Sequence, residues 1–162
     1  MLIDLFADDW DVEQDQPGFR CRRMRLARRL GAEQLGASVY LLPPGERSFP
    51  FHFHYGNEEL LVTLRGAVAV RTPNGEITLG EGQATLFPRG PGGAHQVINR
   101  GSEPARFLVV SGMAEPEITS FPDTGKFGLF AGAAPGATGP ADFKRFVAGA
   151  EADYFAEEPT GE

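Results

Sequence analysis

The segment GERSFPFHFHYGNEELLVTLRG, residues 45–66, holds two histidines, an acidic pair and an apolar run between two glycines. His52 and His54 lie two apart on a run that alternates aromatic and polar groups from Phe49 to His54. Side chains of a strand alternate faces, so both imidazoles point the same way, with backbones roughly 7 Å apart. Tyr55-Gly56-Asn57 forms a turn and resets the alternation, which lets Glu59, at the start of the next run, face the same cavity. The third and last histidine, His95, starts another apolar run, His95 to Ile98. A barrel brings such a distant residue back to the first pair. Three imidazoles and one carboxylate leave open positions on a six-coordinate ion, and the mixed nitrogen and oxygen set suits one divalent ion of Fe, Mn, Ni, Co or Zn. A closed structural site built on thiolates is disfavoured against an open one, because Cys21 is the only cysteine.

The same alternation extends outward. Residues 19–30 read as an arginine-rich strand, and residues 35–42 as a strand stopped by Pro43-Pro44-Gly45. Residues 59–64 and 67–71 follow on either side of Gly66, and Pro73-Asn74-Gly75 is a hairpin signal before 77–79. Residues 83–87, 95–98 and 106–111 continue the series. Turn signals spaced every 8–12 residues predict an all-β barrel or sandwich. The chain reads as a single domain, 1–162, with an acidic peripheral arm at 1–18, a barrel core at about 19–112 and a C-terminal extension at 113–162. Within the extension, 127–140 is rich in Gly, Ala and Pro and reads as an irregular arm. Asp142 to Phe155 reads as a short helix packing Phe143, Phe146 and Phe155 on the barrel.

A net charge of −7 disfavours nucleic acid as a partner. Arg20, Arg22, Arg23, Arg25, Arg28 and Arg29 crowd one stretch. They read as a solvated edge answering the acidic arm and tail, with a phosphate or RNA patch as the alternative. No apolar run approaches the ~20 residues of a membrane helix, so no membrane partner is expected. One cysteine and an acidic start make the cytoplasm the expected location. Cys21 reads as a small buried residue and not a nucleophile, since all three histidines are committed.

Gly45, His52, His54, Glu59 and Gly66 resemble the first motif of the cupin superfamily, and Gly82, Pro88, Gly90, His95 and Asn99 its second. The departures are one extra residue between Gly45 and His52 and a longer loop, Gly90 to Ala94, before His95. The resemblance implies a double-stranded β-helix (a jelly-roll barrel) with a short irregular or helical C-terminal extension, a metal on His52, His54, Glu59 and His95, a small-molecule ligand and a homodimer. Cupins include dioxygenases, decarboxylases, sugar isomerases and epimerases, and binding proteins without turnover. A metal-dependent oxidoreductase, lyase or isomerase acting on a small organic molecule is therefore expected here, with a non-catalytic binding or sensing protein as the alternative. Strand parity places Leu61, Thr63 and Val97 on the substrate-facing floor, predicting a small and largely apolar pocket ill suited to a sugar phosphate. Arg47 and Lys126 read as surface charges, and Glu58 and Tyr55 are the nearest candidates for a general base.

Overall fold

A computed structural model describes residues 2–135 and 142–149. Its strands are β1 (Val12–Gln16), β2 (Phe19–Met24), β3 (Leu35–Leu42), β4 (Phe53–His54), β5 (Glu59–Arg65), β6 (Ala67–Thr72), β7 (Gly75–Gly80), β8 (Ala84–Phe87), β9 (Gln96–Ile98), β10 (Ala105–Gly112), β11 (Glu117–Phe121), β12 (Lys126–Ala131) and β13 (Phe143–Val147). One layer is a six-stranded sheet in the order β1-β2-β3-β10-β5-β8. The facing layer consists of β7-β6-β9 and β4-β11-β12-β13. Bridges between Arg47 and Ile98 and between His52 and His95 join its two parts. All pairings are antiparallel, as a jelly roll requires.

The runs read from the pattern between residues 35 and 112 form strands with ends displaced by a residue or two, except 49–54, of which only Phe53–His54 is strand. The hairpin at Pro73 is present. Pro73 and Asn74 make the turn, while Gly75 already pairs with Thr72 and adopts φ +117°, where a side chain would be strained. Alternation along β5 turns Glu59, Leu61 and Thr63 inward. Phe107 from β10, Tyr40 and Leu42 from β3, and Val68 and Val70 from β6 meet Leu61 in one core. Phe107 stacks on Tyr40 with ring centroids 5.0 Å apart.

Two expectations, on residues 19–30 and on the C-terminal extension, are corrected. Residues 19–30 are not one strand: after β2 the chain forms a short helix, α1 (Leu26–Leu30), closed by Gly31 at φ +76°. The arm at 1–18 is tied down. β1 pairs with β2, and the buried Arg106 guanidinium donates to the Leu5 and Ala7 carbonyls and to Asp8. The extension is not irregular and helical in its described part. Residues 126–131 alternate at period two and pair with β11, and residues 143–147 pair with β12. The three-residue spacing of Phe143 and Phe146 imitated a helical face, and glycine content masked the β12 alternation. Gly128 serves close packing there, since a Cβ would stand 2.9 Å from the Phe130 ring. Phe155 lies outside the described residues. No helix among the described residues is long and apolar enough to cross a membrane.

Leu42 is fully buried between the layers. Leu42→Ala is expected to destabilise the metal-free protein by about 2–5 kcal/mol in urea unfolding, the usual cost of a cavity that the core cannot close. A change under ~1 kcal/mol would place Leu42 outside the core.

Candidate metal centre

His52, His54 and Glu59 each offer a ligand atom within 4.8 Å of the others, a group that could hold a metal ion. His95 joins them: its Nε2 is 3.1 Å from Glu59 Oε2, and its ring centroid is 4.7 Å from that of His52. His54 Nε2 is 3.7 Å from the same carboxylate oxygen. Three of the four candidates from the sequence thus form one group, and His95 adjoins it through Glu59 and His52. The backbone bridge between His52 and His95 locks two of them side by side, and β4 places His54 next along the chain. Phe51 and Phe53, on the opposite face, pack with Ala94.

Each imidazole has its Nδ1 occupied by an oxygen acceptor. His52 Nδ1 is 2.8 Å from the Pro50 carbonyl, His95 Nδ1 is 2.9 Å from the Gly93 carbonyl, and His54 Nδ1 is 3.3 Å from Glu117 Oε1. Carbonyls and carboxylates only accept, so each Nδ1 carries a proton and donates it, and in the neutral ring each Nε2 is left with a lone pair. His95 Nε2 and Glu59 Oε2 therefore face each other at 3.1 Å, where a shared proton or a cation satisfies both. That arrangement fits a cation held between them, and a tethered far nitrogen is the usual second partner of a metal-ligating histidine.

Burial, followed by the neighbouring imidazoles of His95 and His54, pushes the His52 pKa down to about 3, which keeps that ring neutral. Burial works to raise Glu59, but the His95, His54 and His52 rings outweigh it and hold the carboxyl down at about 2, ionised. His54 is raised: burial opposes its charge, and Glu117 and Glu59 overcome that.

The lengthened loop before His95 is a single turn of 3-10 helix, Pro91–Gly93, entered through Gly90 at φ +82°. Only glycine fits at 93, because a Cβ would lie 1.7 Å from the Pro88 carbonyl oxygen. The turn thus absorbs the extra residues and still delivers both His95 and the carbonyl that orients it. Phe87 stacks flat on the His95 ring, with centroids 3.7 Å apart.

The cluster lines a cavity of about 810 Å³, within the range of small-molecule sites. Of the three expected floor residues, only Val97 reaches it. Leu61 and Thr63 face inward, as their parity with Glu59 requires, but both are fully buried in the packed core beneath. Thr63 spends its hydroxyl on the Leu79 carbonyl. The expectation of few charged groups in a small pocket is also corrected. Arg23, Arg25, Lys126 and Lys144 line the cavity, and Glu59 is the only carboxylate to do so among the described residues. The ground for setting sugar phosphates aside is gone with it. Arg47 stays outside, paired through its backbone to Ile98 and Gly18. Glu58 and Tyr55 are exposed and do not line the cavity.

Two residues that sequence reasoning passed over complete the centre. Glu117 is 1% exposed. It accepts from Asn57 Nδ2 and from the Gly56 backbone N–H at 3.1 Å, as well as from His54. Thr119 Oγ1 stands 3.3 Å from His54 Nδ1. The available signal was a lone acid at the start of an alternating run, E-I-T-S-F, that the pattern reading left unassigned.

Residues 38–111 match the family model described as "Cupin domain". With the two-layered barrel and both motifs in place, the chain belongs to the cupin superfamily. It is similar to a cupin-superfamily sugar phosphate isomerase from Silicibacter pomeroyi at 24% identity and a TM-score of 0.76, covering 91% of this chain and 92% of that one. It is also similar to the polyketide cyclase RemF from Streptomyces resistomycificus, at 25% identity and a TM-score of 0.56 over 69% and 80% of the two chains. An oxalate decarboxylase from Lactobacillus farciminis matches at 20% identity and a TM-score of 0.50, over 62% of this chain and 30% of that one. No curated protein matches the sequence.

Cys21 is 4% exposed in the core, and burial pushes its thiol up to about 11 against the pull of Arg23. Iodoacetamide at pH 8 is therefore expected to label it about a hundredfold more slowly in the folded protein than in urea, where the thiol returns to its ordinary range near 8.5. Equal rates would show that Cys21 is accessible and activated.

Proposed function

We propose that the protein is a metal-dependent enzyme that holds one divalent ion on His52, His54, Glu59 and His95 and acts on a small organic molecule in the barrel. The observation that carries this reading is the convergence of imidazole nitrogens, their rings oriented by Nδ1 hydrogen bonds, on a buried carboxylate at the wall of a cavity large enough for a substrate. When bound, the ion supplies Lewis-acid polarisation of a substrate oxygen at its open positions. The chain supplies the rest. Val97 and Phe107 keep water from the floor, and Tyr40, Ser48 and Ser111 bring hydroxyl-bearing side chains to the walls. Burial raises the Tyr40 pKa, with Arg23 opposing, so the phenol stays a hydrogen-bond donor. Any proton that moves to or from the substrate has Lys126, Lys144 or Tyr40 as its carriers, which leaves dioxygenase, decarboxylase and isomerase chemistry open to this site.

A second reading, binding or sensing without turnover, is favoured by one observation. No imidazole or carboxylate beyond the four proposed ligands lines the cavity among the described residues, so no dedicated general base is in place.

Plasma mass spectrometry of protein purified without chelator or histidine tag is expected to find about one equivalent of iron, manganese, nickel, cobalt or zinc. The His52→Ala/His95→Ala double variant is expected to lose it. A parent that takes up no metal on reconstitution would sink the proposal. Product formation by the loaded protein against a panel of small molecules selects the enzymatic reading, and saturable binding without product selects the second.

Glu117→Gln is expected to weaken metal retention in chelator competition about 10- to 100-fold, because an amide is a poorer acceptor for the His54 Nδ1 proton. Unchanged retention would show that Glu117 only braces the fold.

A further inference from the structure

We infer that Arg23 and Arg25 form an oxyanion subsite inside the barrel, so that the molecule bound beside the metal centre carries a carboxylate or phosphate group.

The arginine-rich stretch divides in two. Arg20 pairs with Asp15 and Glu46, Arg22 with Glu13, and Arg29 with Asp9 and Asp11, all on the outside. Arg23 and Arg25 turn inward, and neither forms an ion pair among the described residues. Strand parity explains the division. Arg23 shares the inner face of β2 with the buried Cys21 and stands opposite Tyr40, which stands opposite Phe107. Arg20 and Arg22 occupy the outer face. Both inward arginines bury an Nε that finds no acceptor among the described residues. Buried donors are nearly always satisfied, and leaving a charged group's donor unmet is costly. Burial and the adjacent charges of Arg23 and Arg28 lower the Arg25 pKa and outweigh the opposing pull of Asp11 and Tyr40.

The guanidinium fork matches carboxylate and phosphate oxygens bidentately through Nε and Nη. Arg23 lies three strands from Glu59 across the sheet and four residues off its register, since Arg23 lines up through Tyr40 and Phe107 with Thr63, which puts the two backbones about 20 Å apart at ~4.8 Å per strand and ~3.3 Å per residue. Both line one cavity, so a single molecule could span from the arginines to the metal centre. Lys126 and Lys144 add positive charge on the facing wall. This assignment deepens the proposed function and rests on it for the metal end alone.

The test is calorimetric titration with inorganic phosphate and, separately, malonate, on metal-loaded and metal-stripped protein. Saturable binding of at least one probe is expected in both states. It is expected to weaken about tenfold or more in Arg23→Gln and Arg25→Gln and to be unchanged in Arg22→Gln, with metal content constant throughout. The preferred probe tells carboxylate from phosphate. Two results would overturn the subsite: no binding of either probe at tens of millimolar, or binding that needs the metal and ignores both substitutions, which puts the anion on the ion itself. Protein that binds no metal but still shows arginine-dependent anion binding separates the two claims, since then only the metal reading fails. Should the variants misfold, phenylglyoxal modification of the parent decides. Protection of Arg23 and Arg25 by the bound probe supports the subsite, and unprotected modification of both contradicts it.

Discussion

Glu59 sits in the barrel with histidine nitrogens 3.1 and 3.7 Å away, on rings whose Nδ1 protons are donated elsewhere. An ionised carboxylate costs several kcal/mol to bury without a compensating charge. A cation among the facing imidazole nitrogens, whether a proton or a metal ion, supplies one. Much of the neighbouring structure serves this geometry. The backbone bridge at His52 and His95, the glycine turn whose carbonyl holds His95, and the flat stacking of Phe87 all fix ring directions and not merely positions. Orientation matters here because a ligating nitrogen is useful only along its lone pair.

The C-terminal strands belong to the same design. Glu117 and Thr119 reach His54 from β11, and Phe121, Lys126, Phe130, Lys144 and Phe146 close one wall of the cavity from β11, β12 and β13. The family match ends at residue 111, so these groups come from outside the matched segment. The opposite wall draws Arg23 and Arg25 from β2, also outside it. The matched core thus provides the centre, and its flanks provide most of the charge that surrounds it.

What was legible in the sequence follows from this division. The four converging residues could be read because HxH on a strand, a carboxylate after a turn and the remaining histidine leave few alternatives. The core strands could be read because period-two alternation and turn residues are local signals. Glu117 could not, because its partner His54 is 63 residues away and no local spacing links them. Leu61 and Thr63 had the right parity, but parity gives a face and not a depth, and the core fills to their level. The arginine stretch was read as one solvated edge, whereas the pleat sends Arg23 to the face opposite that of Arg20 and Arg22. Phe143 and Phe146 carried a helical spacing that pairing with β12 overrode.

The central claim is that three imidazoles meet one ion through Nε2 while their Nδ1 protons stay hydrogen-bonded within the protein. Proton NMR of the cobalt(II)-loaded protein reads this directly. The account predicts three paramagnetically shifted resonances that disappear in deuterated water, one for each Nδ1–H of His52, His54 and His95. Fewer than three, or shifts that survive substitution of all three histidines, would contradict it.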